Sequence, residues 1–330
     1  MKWYDLAGRV IDGYDCTVRD ARDILATPDA ATLELVCGAY RLRKHYYGNA
    51  VKLNLIINAK SGRCPENCAY CSQSIYAETS INKYPLVDEA TIIRGAEQAK
   101  AMRAGTYCIV MSGRKASPRE IRTICLAVEK IKSTLSIKIC ACLGMIDDAQ
   151  AEKLKAAGVD RFNHNLNTSA AYYDHIATTH HYQDRVRTVE AVKRAGISPC
   201  TGGICGMGET DDDLIKMAFA VKKLAADSIP VNFLDPIPGT ELEGVHKLTP
   251  NRCLRILALF RFINPAKEIR IAGGREVNLR SSQNLGLYIA NSIFIGDYLT
   301  TKGQDKQKDY QMIDDLGFRI ETNAFAIENQ

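Results

Sequence analysis

From Val51 onward, short runs rich in β-forming residues alternate with longer stretches of helical pattern, and this alternation limits the fold more than any other feature of the sequence. The strand candidates are VKLNLII, TYCIVMS, SIKICACLG, RFNHNL, ISPCTGG, SIPVNFL, EIRIAGG and NSIFIGDYL. The helical segments between them include Asp88–Arg103, Pro118–Ser133, Asp148–Ala157, Asp211–Ala225 and Asn251–Asn264. The order predicts an α/β fold, a (β/α)8 TIM-type barrel of parallel strands. An open doubly wound sheet is the competing arrangement, but the sequence lacks an obvious glycine-rich loop at a switch point.

The first fifty residues have a different pattern, because they look helical throughout. Helices are predicted over Lys2–Asp12, over TVRDARDILA after Cys16, and over Ala30–Tyr46. Thr17 or Asp15 is a suitable cap for the second helix. We therefore expect a single domain made of an N-terminal helical extension (1–50), the barrel (51–300) and a C-terminal tail (301–330).

Composition excludes several classes of protein. Hydrophobic residues make up 46% and charged residues 25% of the 330 residues, as in a globular protein with a full core. The net charge of +5 is small and dispersed, which argues against a nucleic-acid partner and suits a small anionic substrate. The opening has no signal-peptide core, and no run approaches the roughly 20 apolar residues that span a bilayer. A cytoplasmic location is expected, where the 12 cysteines are metal ligands or core residues rather than disulfides.

The stretch SGRCPENCAYCSQS follows the first strand candidate, where barrel enzymes place functional residues. It contains Cys64, Cys68 and Cys71 with no fourth cysteine or histidine close by. Structural zinc sites usually have four ligands, so a zinc site here needs a ligand from elsewhere in the chain. Three thiolates on a cubane iron–sulfur cluster instead leave one iron open for a chelating substrate.

This motif resembles the signature of the radical S-adenosylmethionine superfamily. The resemblance implies a 4Fe–4S cluster on the three cysteines whose open iron binds the amino and carboxylate groups of S-adenosylmethionine. It also places Tyr70 near the adenine. The segment GGICGMGE is similar to a second motif of the superfamily, in which Ile204 contacts the adenine. Its glycines are expected to let the backbone approach a ligand closely.

Three further cysteines, Cys108, Cys140 and Cys200, fall on separate strand candidates. Because side chains alternate along a strand, Cys140 and Cys142 share one face. Arg270 lies between two isoleucines and is expected to point into the barrel. An unpaired charge is costly in an interior normally filled by apolar side chains, so this set predicts a bound ligand inside the barrel.

The arrangement resembles the biotin synthase family from the N-terminal helices to about Gly317. The resemblance implies that Cys108, Cys140, Cys200 and Arg270 hold a second, 2Fe–2S cluster. A neighbouring salt bridge is the alternative role for Arg270, because guanidinium is normally protonated. Cys142 and Cys205 are additional thiols that are either passive or ligands of a larger auxiliary cluster.

The segment RFNHNLNTS is rich in amides, which both donate and accept hydrogen bonds. Strand alternation places Asn163, Asn165 and Asn167 on one face. The family resemblance implies that Asn163 and Asn165, together with Asn232, contact the cyclic urea of dethiobiotin. Asn167 stands where relatives bind the ribose hydroxyls of S-adenosylmethionine.

By the same resemblance, Arg185 pairs with the methionyl carboxylate, and Thr300 and Thr301 bind the valerate carboxylate of the substrate. The histidines His45, His180 and His181 lack suitably spaced carboxylates. They are interpreted as surface or N-terminal packing residues rather than as metal ligands or bases.

The family resemblance therefore implies a radical S-adenosylmethionine sulfurtransferase that converts dethiobiotin to biotin, with the auxiliary iron–sulfur cluster as sulfur donor. Implied partners are dethiobiotin, a flavodoxin or ferredoxin reductant and a second copy in a homodimer, with neither nucleic acid nor membrane. One alternative is a radical enzyme that rearranges an amino acid or assembles a cofactor without donating sulfur. Another is a non-catalytic iron–sulfur or zinc carrier.

Overall fold

A closed barrel of parallel strands forms the centre of the molecule. The computed structural model describes residues 2–321. The strands are β1 (Ala50–Lys60), β2 (Thr106–Met111), β3 (Lys138–Cys142), β4 (Arg161–Asn163), β5 (Ser198–Cys200), β6 (Gly203–Cys205), β7 (Ser228–Phe233), β8 (Glu268–Ile271), β9 (Ser292–Phe294) and β10 (Arg319–Ile320). All strand pairs are parallel, and β1 pairs with both β2 and β9, which closes the sheet. The prediction of a (β/α)8 barrel is confirmed.

The short strands β5 and β6 together fill one place in the barrel. Cys200 of β5 pairs with Ser228, and Gly203 of β6 pairs with Val231 farther along the same neighbour, β7. The chain between them leaves the ladder for two residues without changing direction. The barrel therefore has eight strand positions although nine of the ten strands contribute to it.

The helices surround the barrel in the expected alternation. They are α1 (Lys2–Ile11), α2 (Val18–Leu25), α3 (Thr32–Tyr47), α4 (Glu89–Ala101), α5 (Pro118–Thr134), α6 (Asp148–Ala156), α7 (Tyr182–Arg194), α8 (Asp211–Lys223), α9 (Pro250–Ile263), α10 (Arg275–Leu279), α11 (Gln283–Ile289) and α12 (Lys306–Asp315). The five helical segments predicted between strands are confirmed as α4, α5, α6, α8 and α9. No helix among residues 2–321 combines the length and apolar character needed to span a membrane.

Local sequence signals fix where several of these helices begin. Thr17, Ser117, Asp147 and Thr210 are N-caps whose side chains accept a hydrogen bond from the backbone N–H three residues later. In each case the side chain of the third helical residue accepts a hydrogen bond from the backbone N–H of the cap, which makes a capping box. Thr17 rather than Asp15 caps α2.

The N-terminal helices pack against the outside of the barrel. Helix α1 crosses α3 so closely that a Cβ at Gly38 would lie 2.6 Å from the backbone oxygen of Trp3. Arg43 of α3 is fully buried and donates hydrogen bonds to the carbonyls of Gly48, Ala50 and Ala290. These bonds satisfy backbone oxygens at the start of β1, so α3 fixes the edge from which the barrel begins.

The chain after the last barrel strand returns to the start of the barrel. β10 pairs with the beginning of β1, and Asp309 of α12 binds the guanidinium of Arg275 through both carboxylate oxygens, at 2.7 and 3.2 Å. Both side chains are almost fully buried. Glu276, next to Arg275, accepts hydrogen bonds from the Tyr298 hydroxyl and the Gln304 backbone. The loop 296–305 is therefore held against the barrel.

Candidate active site

The three closely spaced cysteines lie on a long loop that follows β1 at the carboxyl end of the barrel. The Cys64 N–H donates to the Gln73 carbonyl at 3.0 Å, and the Ile75 N–H donates to the Cys64 carbonyl at 2.9 Å. These bonds fold the loop back on itself, so Cys64, Cys68 and Cys71 lie on one compact turn. Burial raises the pKa of the Cys71 thiol to about 12 and also raises the pKa of Cys64 and of Cys68. Metal coordination would displace the protons that burial otherwise retains.

The cysteine loop is tied to the segment that follows β4. Asn67 accepts hydrogen bonds from the backbone N–H groups of Thr178 and Thr179, at 2.9 and 3.1 Å. The Ala69 N–H donates to the Ile176 carbonyl at 2.9 Å. The loop is therefore fixed from two sides before any cofactor binds, as a preorganised site requires.

The three strand cysteines meet below this loop. Cys108 and Cys140 are register partners on β2 and β3, and the thiols of Cys108 and Cys200 both act on the pKa of Cys140, which lies well above its ordinary value. All three are buried and contact one another, with the ring of Phe294 packed beside them. Three mutually contacting thiols inside a barrel have the donor chemistry and burial that an iron–sulfur cluster needs.

Arg270 points into the barrel, as predicted, and its Nη1 atom donates to the Cys200 thiol at 3.9 Å. Its Nε donates to the Ser292 hydroxyl and its Nη2 to the Glu268 carboxylate, at 3.2 and 2.6 Å. Burial lowers the pKa of Arg270, but Glu268 and the thiols of Cys200, Cys108 and Cys140 together raise it above the ordinary value. The salt bridge considered as the alternative role is therefore present, and Nη1 is the nitrogen that faces the thiols.

The two additional thiols have different positions. Cys142 lines the cavity described below, and burial raises its pKa to about 12. Cys205 is fully buried in the layer between the barrel and the helices, near Cys253 of α9. The structure therefore does not bring Cys205 to the auxiliary thiols. Cys205 lies five residues after Cys200, and side chains an odd number of residues apart along a strand point to opposite faces. The spacing therefore already indicates that the two thiols do not meet.

The amide side chains form two groups rather than one face. The Asn163 amide donates to Asn165 Oδ1 at 3.1 Å and also reaches the Cys200 thiol at 3.4 Å. β4 ends at Asn163, however, and Asn167 has a left-handed backbone with φ of 70°. Its side chain donates to the Tyr70 hydroxyl at 2.6 Å. The expectation that Asn167 continues the strand face is wrong, because the chain turns before it.

A buried network that the sequence reasoning missed surrounds Arg185. The Arg185 guanidinium donates to Tyr173, to the Asn165 carbonyl at 3.0 Å and to the Nε2 atom of His180 at 2.7 Å. His180 is only 3% exposed, its Nδ1 lies 3.3 Å from Glu66, and its Nε2 lies 3.8 Å from the Cys68 thiol.

The interpretation of His180 as a surface or N-terminal packing residue is therefore wrong, because it is buried beside Glu66, Cys68 and Arg185. His180 links the cysteine loop to Arg185, and no local pattern signals this contact across the chain. His45 and His181 are exposed.

Asn232 and Ile204 lie on neighbouring strands at the same level of the barrel. Asn232 donates to the Gly203 carbonyl and accepts from the Gly273 N–H, both at 3.0 Å. Its side chain thus joins β6 to the turn after β8 and still faces the cavity. Ile204 lines the same cavity close to Tyr70.

The glycines of the GGICGMGE segment serve strand packing. A Cβ at Gly202 would lie 2.0 Å from the Pro230 carbonyl oxygen, and one at Gly203 would lie 2.1 Å from the Met217 sulfur. Both atoms belong to the protein, so the need for glycine here comes from close packing within the barrel. The expectation that the glycines of this segment let the backbone approach a ligand stays a prediction.

We predict that Gly202→Ala lowers the free energy of unfolding by about 1–3 kcal/mol. The opposing Pro230 carbonyl belongs to the backbone and cannot rotate away from the new Cβ. Gly105→Ala is the matched control, since its nearest neighbour would be 3.8 Å from the new Cβ. Denaturant unfolding of the metal-free proteins measures both changes. Equal midpoints for the two variants would contradict the packing explanation.

One cavity of about 330 Å³ connects the two sets of thiols. Its lining includes Cys64, Cys68 and Cys71 at the mouth and Cys108, Cys140 and Arg270 at the base, and Cys200 packs with Cys108 and Cys140. Asn163, Asn165, Asn167 and Arg185 line it between these ends. Among residues 2–321, no three His, Cys, Asp or Glu side chains converge as the ligands of a single metal ion do. The thiols are instead arranged around a space that suits polynuclear clusters.

A second cavity of about 230 Å³ adjoins the first and shares Tyr70, Cys71 and Asn232 with it. Thr300 and Thr301 line this second cavity. The Thr300 hydroxyl is hydrogen-bonded to the Ser72 hydroxyl at 2.7 Å. The threonine pair therefore lies beside the cysteine loop, at the end of a continuous space that leads to the deep thiols.

Comparison with known proteins agrees with this geometry. Residues 59–221 match the Radical SAM superfamily, and residues 230–319 match the Biotin and Thiamin Synthesis associated domain. The chain is 59% identical over 319 residues to biotin synthase of Geobacillus kaustophilus, covering 97% of this chain and 96% of the relative. It is 60% identical to biotin synthase of Anoxybacillus flavithermus, covering 97% and 98%, and 56% identical to that of Bacillus subtilis, covering 97% and 96%.

The chain belongs to the biotin synthase family.

Solved structures extend the likeness to the fold. The crystal structure of methylornithine synthase superposes on this chain with a TM-score of 0.83. The two are 22% identical, and the match covers 96% of this chain and 97% of that one. An FeFe-hydrogenase maturase from Carboxydothermus hydrogenoformans gives a TM-score of 0.80 at 16% identity, covering 97% and 79%. At these identities the likeness concerns the barrel and its surrounding helices, while the family assignment depends on the biotin synthases.

Proposed function

We propose that this protein is a biotin synthase, a radical S-adenosylmethionine enzyme that inserts sulfur into dethiobiotin to form biotin. The observation that carries this proposal is the single cavity that joins the two sets of thiols in a chain of the biotin synthase family. When bound, the 4Fe–4S cluster supplies the electron that cleaves S-adenosylmethionine to a 5′-deoxyadenosyl radical, and the auxiliary 2Fe–2S cluster supplies the sulfide. The radical and the C–H bond it attacks must be held close together and dry.

For S-adenosylmethionine, we propose that Arg185 pairs with the methionyl carboxylate. The hydrogen bonds to Tyr173, Asn165 and His180 use three of the five N–H groups of the guanidinium and fix its plane. The other two N–H groups can meet a carboxylate in the cavity that Arg185 lines. Tyr70, Asn167 and Ile204 are assigned to the adenosine portion.

For dethiobiotin, we propose that Asn163, Asn165 and Asn232 contact the cyclic urea, and that Thr300 and Thr301 bind the valerate carboxylate. The amides lie on the wall of the first cavity and the threonines on the wall of the second. On this proposal the ring of the substrate lies near the deep thiols and its acidic tail beside the cysteine loop.

The remaining partners are also proposals. A flavodoxin or ferredoxin suits the need for a single low-potential electron, because cleavage of the sulfonium requires a strongly reducing cluster. We further propose a cytoplasmic homodimer that binds neither nucleic acid nor membrane. The division into an extension, a barrel and a C-terminal tail likewise remains our description of the domain.

The decisive experiment incubates the anaerobically reconstituted protein with dithionite, S-adenosylmethionine and dethiobiotin. We expect 5′-deoxyadenosine and biotin, both quantified by mass spectrometry. Formation of 5′-deoxyadenosine without biotin would remove the named substrate and favour a radical enzyme that does not donate sulfur. Formation of neither product would favour a non-catalytic carrier.

Iron content tests the composition of the auxiliary cluster. We expect about six irons per chain, four in one cluster and two in the other, and about four in Cys140→Ser. Cys205→Ser is the control that should retain the full content, because Cys205 lies outside the cavity. A wild-type content near eight that falls in Cys142→Ser would instead indicate a larger auxiliary cluster with Cys142 as a ligand.

A further inference from the structure

A buried carboxylate lies at the base of the barrel, directly below the deep thiols. Glu268, the first residue of β8, is 3% exposed. Its Oε1 accepts hydrogen bonds from Arg270 Nη2 at 2.6 Å and from the Ser228 hydroxyl at 3.0 Å. Its Oε2 accepts from Arg161 Nη1 at 2.6 Å and from Lys52 Nζ at 2.9 Å. All the acceptor positions of this one carboxylate are therefore engaged.

The charges at this base do not balance. Three cations, Lys52, Arg161 and Arg270, share the single carboxylate of Glu268, and their side chains are 11%, 11% and 1% exposed. Glu321 approaches Lys52 only from the rim, at 3.8 Å, and is more exposed. Excess positive charge is costly to bury unless an anion compensates it.

The excess positive charge also affects the pKa of a neighbouring lysine, Lys138. Burial lowers the pKa of Lys138, the first residue of β3, and the positive charges of Lys52 and Arg161 lower it further. The carboxylates of Glu268 and Glu321 offset only part of this effect. The base of the barrel thus has a net positive field in the structure without cofactors.

The excess positive charge faces the site assigned to the auxiliary cluster. Arg270 links the two, because its Nη2 is held by Glu268 while its Nη1 donates to the Cys200 thiol. An iron–sulfur cluster bound by thiolates is anionic, so it supplies the missing negative charge. Lys52, Arg161 and Glu268 are named here the basal charge network; Arg161 lies opposite Cys140 on the neighbouring strand, and its charge acts on Cys200.

We propose that the basal charge network consists of positioning residues that orient Arg270 and set the reduction potential of the auxiliary cluster. The inference rests on the proposed function, since it takes a cluster at Cys108, Cys140 and Cys200. Reduction adds one negative charge to a cluster, so nearby cations favour the reduced form and nearby anions oppose it. In the poorly screened interior these interactions are stronger than at the surface.

The two signs of charge give opposite expectations. Arg161→Gln removes a cation and should shift the potential of the auxiliary cluster to more negative values. Glu268→Gln removes the anion and should shift it to more positive values. The double variant Arg161→Gln/Glu268→Gln restores the original net charge and should return the potential toward that of the wild type. A purely structural role predicts no such reversal of sign.

The test is a potentiometric titration of each reconstituted full-length protein, followed by visible absorption and electron paramagnetic resonance, with iron content measured in parallel. Opposite shifts, or loss of the auxiliary cluster in Glu268→Gln that the double variant restores, support the proposal. Shifts of the same sign, no shift, or loss of the auxiliary cluster in all three variants would overturn it. Formation of 5′-deoxyadenosine and biotin by the wild type, checked in the same preparations, shows separately whether the proposed function stands.

Discussion

Changing Cys68 to serine will abolish reductive cleavage of S-adenosylmethionine, with a loss greater than the roughly 10- to 100-fold cost of removing an outer-shell partner of a metal site. Cys68 is the central thiol of the cysteine loop and is 8% exposed. A serine hydroxyl is far less acidic than a thiol and binds iron more weakly than a thiolate, so we expect the 4Fe–4S cluster to be lost. The rate of 5′-deoxyadenosine formation and the iron content measure the effect, and iron should fall from about six to about two per chain.

Cys37→Ser is the matched control for this change. Cys37 lies on α3 at the surface, outside both cavities, so its replacement should leave the iron content and the rate unchanged. A Cys68→Ser protein that still formed 5′-deoxyadenosine at the wild-type rate would show that the loop does not hold the cleaving cluster. Equal losses in both variants would point to general damage by cysteine replacement.

Asp309→Ala is expected to lower the free energy of unfolding by about 3–5 kcal/mol, because it leaves the Arg275 guanidinium buried without its principal carboxylate. Asp309 is fully buried and binds Arg275 through both oxygens, and Gln304 donates to one of them at 2.9 Å. Denaturant or thermal unfolding of the metal-free protein measures the loss. Asp23→Asn, which removes an exposed partner of Lys2, is the control and should change stability by less than about 1 kcal/mol.

Asp309→Ala should also weaken the binding of dethiobiotin. Arg275 and Glu276 hold the loop that carries Thr300 and Thr301, through the contacts of Glu276 with Tyr298 and Gln304. Loosening α12 should therefore raise the KM for dethiobiotin more than it lowers 5′-deoxyadenosine formation without substrate. A stability loss with unchanged KM would confine the role of the pair to folding.

Much of the fold could be predicted because strand and helix periods are local. The eight strand candidates were recognisable from β-forming runs, and Thr17 and Asp88 marked helix starts through their own side chains. The helices α10 to α12 were not predicted, since two of them are short and their positions depend on long-range contacts such as that of Arg275 with Asp309.

Those site residues could be predicted whose positions follow from their own strand or loop. Cys108, Cys140, Cys200 and Arg270 meet because each lies on the inward face of its own strand. His180 was missed because its partners Glu66 and Cys68 come from a loop far away in the sequence. The partners of Arg270 were missed as well, since no local pattern shows that Lys52 and Arg161 converge on Glu268.

The basal charge network also closes one end of the barrel. Within the described residues the lining of the cavity ends at Arg270, and Lys52, Arg161 and Glu268 fill the space beneath it. If the mouth beside the cysteine loop is the way into this cavity, iron and sulfide bound for the deep thiols would enter past the positions proposed for dethiobiotin and S-adenosylmethionine. Rebuilding an auxiliary cluster would then require those positions to be vacant.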